Sequence, residues 1–260
     1  MRALWEGSIS FGLVSLPVSM YPATQPTGYV FRLMHEKCAA PVNYERRCPH
    51  CGAIAPWAEI VRGFEYENGK FVMLKDEDLE RIPLKTTKTI DIVDFVDARD
   101  IDPIYVDKTY YLVPQRGGEK AYGLLAEALD LTRKTAVGKV VVREKEHLAA
   151  VRFKSGALLL ETLFYPDEVR PPEFWEALRQ KPRLGETEVR LAVELVDALS
   201  SKWDPHKYVD EYRQALRQLI RAKMAGQQLQ PPVSGVETGR SLEDALKASI
   251  EAVKKKREPI

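Results

Sequence analysis

The chain lacks a disulfide framework, a membrane span and a strong net charge. It contains 3 cysteines among 260 residues, and 39 lysines and arginines balance 38 aspartates and glutamates, for a formal net charge of +1. Three cysteines cannot all pair with one another, and no apolar run approaches the roughly 18 residues of a membrane helix. The first residues, Met1 to Glu6, also lack the apolar segment of a signal peptide. We therefore expect a soluble protein of the reducing cytoplasm.

Sequence motifs of common enzyme classes are also missing. Gly69-Lys70 and Gly138-Lys139 lack both the spaced glycine and the following Ser or Thr of a phosphate-binding loop. The patterns Gly-x-Ser-x-Gly, His-Glu-x-x-His and Gly-x-Gly-x-x-Gly do not occur. We therefore expect a protein that binds rather than catalyses. Because its charges balance, a nucleic-acid surface would require basic residues segregated onto one face.

All three cysteines lie in one short segment together with a histidine. His35, Cys38, Cys48 and Cys51 form the pattern His-x2-Cys-x9-Cys-x2-Cys. Two close pairs of such donors can meet at one tetrahedral point, which suits Zn²⁺. Four protein ligands leave no position for water, so the pattern predicts a structural zinc in a clip over residues 35–51.

Other uses of these residues are less favoured. His50 competes with His35 for the fourth position, but it lies between two cysteine ligands, where its backbone belongs to the turn. A disulfide between two of the three cysteines is a further alternative. A deaminase-type catalytic zinc is disfavoured because its motif places His-x-Glu well before Pro-Cys-x-x-Cys, whereas Glu36 directly follows His35.

Alternation of apolar and polar residues predicts many short strands before Pro182. Asn68-Gly69 and Lys154-Ser155-Gly156 are typical hairpin turns. The predicted strands cover residues 5–13, a stretch from 17, and residues 61–67, 70–74, 89–95, 110–113, 139–143, 147–153 and 157–164. Short helices are predicted at 119–131 and 172–180. The pattern favours an α+β fold whose core, residues 1–182, is a β-barrel or a sandwich with a small zinc-knuckle insertion.

The pattern becomes helical after Pro182. One helix is predicted over residues 186–200, and a second opens at Asp204-Pro205, which supplies an N-cap and a first-turn proline. Together they predict a helical arm over residues 183–226. Residues 227–240 lack periodicity and contain several helix breakers, so they predict a flexible linker.

A last amphipathic segment, residues 241–260, contains several basic residues. Ser241 and Asp244 resemble a helix cap at its start. Its apolar stripe consists of Leu242, Leu246, Ile250 and Val253. Because a short helix beyond a linker is marginal alone and no neighbouring element is apparent, we expect the stripe to bind a partner protein; a frayed tail is the alternative.

Several sequence blocks, in order along the chain, match one known family. The blocks are residues 5–14 (WEGSISFGLV), 35–51, 101–103, 110–114 (YYLVP), 161–165 (ETLFY), 168–170 and 204–212. They resemble the bacterial Ku family from Trp5 to about Gly226. The resemblance implies a homodimeric ring on a β-barrel through which a double-stranded DNA end passes, with the helical arm serving in dimerisation. It also implies recruitment of the multifunctional DNA ligase D in non-homologous end joining, and hence a location at the nucleoid.

Broken DNA ends have arbitrary sequence, so a protein that holds them needs cations facing phosphates rather than base edges. The candidate cations are Arg116, Lys120, Arg133, Lys134, Lys139, Arg143 and Lys145. Because surface lysines are commonly solvated, we expect about half of them to contact phosphate.

A second class of function stays open from the sequence. A zinc-clipped β-domain with a helical tail could be an adaptor in transcription or translation that contacts only protein. Binding to linear duplex but not to covalently closed circles would distinguish a ring from such an adaptor.

Overall fold

The computed structural model describes residues 2–82, 88–142, 145–180, 182–227 and 241–257. The chain divides into two compact units, Met1–Pro171 and Pro172–Ile260; the sequence pattern predicts the end of the core at residue 182. Within the described ranges, no helix combines the length and the apolarity that crossing a membrane requires.

The first unit contains a closed barrel of seven strands. The strands are β1 (Trp5–Phe11), β2 (Val14–Pro22), β7 (Thr89–Asp97), β8 (Val106–Pro114), β9 (Lys134–Val142), β10 (Lys145–Lys154) and β11 (Ala157–Leu163). Their order around the barrel is β1-β2-β8-β11-β10-β9-β7. Neighbours are antiparallel except at the closure, where β1 runs parallel to β7 and Ile9 faces Ile90. Of the two core architectures that the sequence predicts, a barrel or a sandwich, the structure has the barrel.

The barrel core follows from alternation along the strands. Leu16, Val18 and Met20 of β2 are fully buried, because successive side chains of a strand point to opposite faces and these three point inward. Helix α2 (Glu119–Thr132) packs against β2, β9 and β10. It buries Leu125 and Leu129, four positions apart on one helical face, in the same core.

The predicted hairpin turns are confirmed. Ser155 and Gly156 both have positive φ, at 52° and 84°, as a two-residue hairpin loop that matches the strand twist requires. Strands β8 and β9 begin at Val106 and Lys134, several residues before their predicted starts. For β9, the difference arises because Lys134 and Thr135 resemble a polar loop rather than a strand. Lys134, which precedes the strand predicted over residues 139–143, and Lys139, which starts it, therefore both lie on β9.

A long excursion, residues 23–88, separates β2 from β7. It forms two small antiparallel sheets and a short helix, and none of its described residues 23–82 is buried. Its elements are β3 (Met34–His35), β4 (Ala40–Pro41), β5 (Arg62–Glu67), β6 (Lys70–Leu74) and α1 (Asp76–Glu80). Sheets of two strands are only marginally stable on their own. Because the described part of this excursion has no hydrophobic core, other interactions must stabilise its fold.

The second unit is helical, and two of its helices differ in extent from the prediction. Its helices are α3 (Glu176–Arg179), α4 (Glu186–Leu199), α5 (Glu211–Met224) and α6 (Leu242–Arg257). The helix predicted over residues 172–180 is a 3-10 turn followed by α3. Asp204-Pro205 opens only a 3-10 turn, which ends where Tyr208 becomes extended. The following helix begins at Glu211, where the Asp210 carboxylate accepts the Arg213 N–H at 2.8 Å.

Helix α6 is not isolated, contrary to the prediction that its stripe has no neighbour. It packs on α4, Ile250 is only 5% exposed, and Lys254 Nζ lies 2.9 Å from Glu194 Oε1. The Ser241 hydroxyl accepts the Asp244 N–H at 3.2 Å, which confirms the predicted cap. Residues 228–240 of the predicted linker lie outside the described residues.

Candidate nucleic-acid interface

Arg116 and Lys120 lie on the connection from β8 to α2. Gly117 has a φ of 87° and donates its N–H to Glu119 Oε2 at 2.8 Å, which fixes the turn. A Cβ on Gly118 would lie 3.0 Å from Pro17, so this loop is held closely against β2. Both basic side chains are exposed, and neither has an ion-pair partner among the described residues. They are therefore available to a phosphate without a competing carboxylate.

Arg133 and Lys134 occupy the junction of α2 and β9. Arg133 ends the helix in a left-handed conformation with φ 55°, and its guanidinium lies 3.0 Å from Asp130. Lys134 faces Asp97 across the β7–β9 pair. The pKa of the Asp97 carboxyl is lowered, mainly by hydrogen bonds from Arg99 and to a smaller degree by the Lys134 charge. Both predicted cations thus have acidic neighbours.

Lys139 and Lys145 are ion-paired on the barrel surface. Lys139 Nζ lies 3.0 Å from Glu146, and this hydrogen bond raises the pKa of the lysine. Lys145 Nζ lies 3.3 Å from Glu168. The pKa of Glu168 is lowered, first by the Tyr165 N–H and then by Lys145. The remaining candidate, Arg143, lies outside the described residues.

A cavity of about 430 Å³ at one end of the barrel contains polar residues absent from the predicted set. It includes Lys108, Asp107, His147 and Thr162 beside the predicted Lys145. The pKa of His147 is lowered, chiefly by burial and then by the Lys145 charge. Alternation could have placed His147 inside the barrel, because it shares a face with the buried Ala149 and Val151 of the same strand.

The predicted zinc ligands form two pairs. His35 Nδ1 lies 3.0 Å from Cys38 Sγ, and the pKa of Cys48 is lowered by hydrogen bonds from the Cys51 and His50 backbone and from the Cys51 side chain. In the described ranges, no three or more His, Cys, Asp or Glu side chains are grouped closely enough to hold a metal ion. The structure thus assembles each predicted pair but not the four-residue cluster.

The predicted partner-binding stripe borders an apolar cavity of about 440 Å³ within the second unit. Leu242 and Leu246 of α6 face Val189 and Val193 of α4 across it. Val193 is still 54% exposed. The stripe is therefore divided between a buried part around Ile250 and an accessible part around Leu242.

Comparison with known proteins identifies the family. The family model Ku, described as the Ku70/Ku80 beta-barrel domain, matches residues 10–191. Three relatives are each named "Non-homologous end joining protein Ku". The one from Symbiobacterium thermophilum is 46% identical over 99% of this chain, which spans 64% of that relative's length. The relative from Archaeoglobus fulgidus is 43% identical over 98% of this chain and 100% of its own length. The one from Bacillus subtilis is 37% identical over 98% and 83% of the two chains.

Among solved structures, the SPOC domain of human PHD-finger protein 3 matches 62% of this chain and 95% of its own at a TM-score of 0.30 and 11% identity, too distant to support an inference. The sequence relatives and the closed barrel agree with each other. On that match, this chain belongs to the Ku family.

Proposed function

We propose that two copies of this chain form a ring that binds double-stranded DNA ends without regard to sequence. In this role the chain protects or bridges the ends and recruits DNA ligase D for non-homologous end joining. Its contribution is binding and positioning, since the proposed task requires no bond to be made or broken by the chain itself.

The excursion from the barrel is the observation that carries the ring proposal. Residues 23–82 contain no buried side chain among those described, yet they expose large apolar groups such as Phe64, Tyr66 and Phe71. Several large apolar side chains exposed in one segment are typical of a protein–protein interface. A strap that leaves the barrel and packs against a second copy would account for it, and two such straps would close a ring by two-fold symmetry.

The helical unit offers a second surface for self-association. Val189, Val193 and Val196 of α4 are exposed on one helical face. Tyr212, at the start of α5, is also exposed, and Trp203 stacks on Tyr208 with their ring centroids 5.1 Å apart. Such aromatic and aliphatic groups are the residues that stable interfaces bury. We assign this arm to dimerisation.

The charge distribution supports sequence-independent binding. The net charge is +1, so attraction to DNA must come from local cations such as Arg116 and Lys120. Contacts to phosphates position a protein on DNA but carry no base information. A ring lined by such cations would hold any end and would limit nonspecific adhesion elsewhere.

The topology of the DNA provides the decisive test. A closed ring loads only from a free end, so the full chain should bind a linear duplex and should not bind the same duplex as a covalently closed circle. Cutting the circle once should restore binding to the linear value. Equal binding to both forms would exclude the ring, and binding to neither would favour the protein-only adaptor.

A further inference from the structure

Three neighbouring strands of the barrel each end their inward-facing stripe with a polar residue. Thr162 of β11 lies opposite Lys108 of β8 on one side and opposite Ala149 of β10 on the other, so the three residues share the inner face at one end of the barrel. Towards the middle of the barrel the same stripes are apolar and belong to the buried core. The stripes are Leu112, Tyr110 and Lys108 on β8, Leu158, Leu160 and Thr162 on β11, and Val151, Ala149 and His147 on β10.

The polar ends of these stripes line the cavity of about 430 Å³, which we call the barrel-end cavity. Other parts of its lining are apolar and include Leu4, Pro22 and Val142. A volume of this size is typical of a small-molecule pocket. It excludes a DNA duplex, whose major groove alone is about 12 Å wide. The cavity therefore has the size and the mixed lining of a site for a small ligand with one polar end.

The charge of the barrel-end cavity favours an anion. Lys108 Nζ has no ion-pair partner among the described residues, whereas Lys145 Nζ lies 3.3 Å from Glu168 Oε1. Thr162 is only 2% exposed, and its hydroxyl accepts the Lys108 N–H at 3.2 Å. Asp107, whose Oδ2 lies 3.5 Å from that hydroxyl, is the one carboxylate in the described lining. Two lysines against one aspartate leave the lining positive.

The donors lie on both sides of β11, the strand that carries Thr162. Lys108 comes from β8, and His147 comes from β10. A phosphomonoester carries a charge of about −1.5 to −2 and three acceptor oxygens, so it can bind donors from both strands at once. A planar carboxylate offers only two oxygens. We propose that the barrel-end cavity binds a small phosphomonoester, with its phosphate on Lys108 and His147 and its organic group on the apolar part of the lining.

Isothermal titration of the full chain with phenyl phosphate, in buffer free of phosphate and sulfate, tests this proposal. Phenyl phosphate should bind at one site per chain, and inorganic phosphate should bind more weakly because it leaves the apolar lining uncovered. Lys108→Gln should weaken the binding of phenyl phosphate about 10-fold or more, since it removes a charged hydrogen-bond donor. Lys154→Gln, at the other end of β10, is the matched control and should bind as wild type does. No saturable binding by wild type, or equal affinity of the two variants, would overturn the proposal.

Two measurements on wild-type protein avoid dependence on how a variant folds. In proton NMR, the ring resonances of His147 should shift more on addition of phenyl phosphate than those of His35, His50 and His206, and equal shifts would overturn the placement of the phosphate. A blunt DNA duplex, with or without 5′-phosphates, should leave the affinity for phenyl phosphate unchanged because the cavity does not admit it. Displacement of phenyl phosphate by either duplex would make the cavity part of the DNA site and would overturn a separate ligand site. Binding of the duplex itself is measured independently, so this result does not depend on the ring proposal.

Discussion

Tyr122 of α2, which is partly buried against the barrel core, binds Leu112 of β8: its hydroxyl donates to the Leu112 carbonyl at 2.9 Å. The same oxygen accepts the Leu158 N–H of β11 at 2.7 Å. Burial raises the pKa of Tyr122, so the hydroxyl keeps the proton that it donates. One side chain thereby joins a helix to two adjacent strands, which makes α2 part of the barrel core.

Tyr122→Phe should lower the free energy of unfolding by about 1–3 kcal/mol, because it leaves the Leu158 N–H and the Leu112 carbonyl without this partner. Tyr66→Phe is the matched control, since Tyr66 is 61% exposed and should change stability little. Urea unfolding followed by circular dichroism measures both. Equal effects of the two substitutions would contradict the role assigned to the Tyr122 hydroxyl.

Gly138 allows β7 and β9 to approach. A Cβ at this position would lie only 2.8 Å from the Asp91 carbonyl carbon and still closer to its oxygen, both backbone atoms. Gly138→Ala should therefore destabilise the barrel by about 1–3 kcal/mol. Gly123→Ala is the control: it lies within α2 with no atom near the added Cβ, and should be neutral or stabilising by up to about 1 kcal/mol. Thermal unfolding should give a lower midpoint temperature for Gly138→Ala and an unchanged or higher one for Gly123→Ala.

Local signals predicted most strands, whereas pairings distant in sequence escaped prediction. The turn at Ser155-Gly156 and the alternation along β10 are properties of neighbouring residues and could be recognised from the sequence. The parallel closure of β1 on β7 joins residues separated by the whole excursion, which no local pattern encodes. The ion pair of Lys139 with Glu146 depends in the same way on the register of β9 against β10.

The candidate site was only partly predicted, because some of its contacts are local in sequence and others are not. Spacing predicted the pairs His35 with Cys38 and Cys48 with Cys51, and the structure brings each pair together because each lies within one turn. It could not identify which basic residues have acidic partners, since those contacts arise from sheet pairing. Helix α6 shows the same limit: its stripe was recognised, but the face of α4 that covers Ile250 lies far away in the sequence.

Arg116 should contribute more to DNA binding than Lys139. Arg116 has no acidic partner among the described residues, whereas Lys139 must leave Glu146 before it can bind a phosphate. For a dimer, Arg116→Ala removes two contacts, so the slope of log affinity against log salt should fall by about 1.8. Lys139→Ala should change this slope less. Fluorescence anisotropy over a salt series, with two unrelated end sequences, measures this. A change in preference between the sequences would indicate base contacts instead.

His147 should make stability fall in mild acid. Its pKa is lowered by burial and by Lys145 and Lys108, against an opposing effect of Asp107 and Glu168, so the unfolded chain binds a proton more readily than the folded one. Its contribution is complete above the unfolded pKa of about 6.5 and is lost as the pH falls through the folded value. His147→Gln should therefore lose less stability than wild type between about pH 7.5 and 5. Urea titrations of wild type and variant at both pH values measure the free energy of unfolding, and identical losses of stability in the two proteins would refute the prediction.

Helix α6 should recruit the ligase only after it leaves α4. Deleting residues 236–260 should preserve end binding and abolish ligase stimulation, because it removes the stripe of Leu242 and Leu246. Glu194→Gln removes the ion pair with Lys254, so it should weaken the packing of α6 on α4 and increase apparent ligase affinity by roughly 1.4- to 5-fold. Glu251→Gln, an exposed change on α6 itself, is the control. If the truncated chain stimulated the ligase fully, the docking site would have to lie elsewhere, and the exposed face of α4 would be the next surface to mutate.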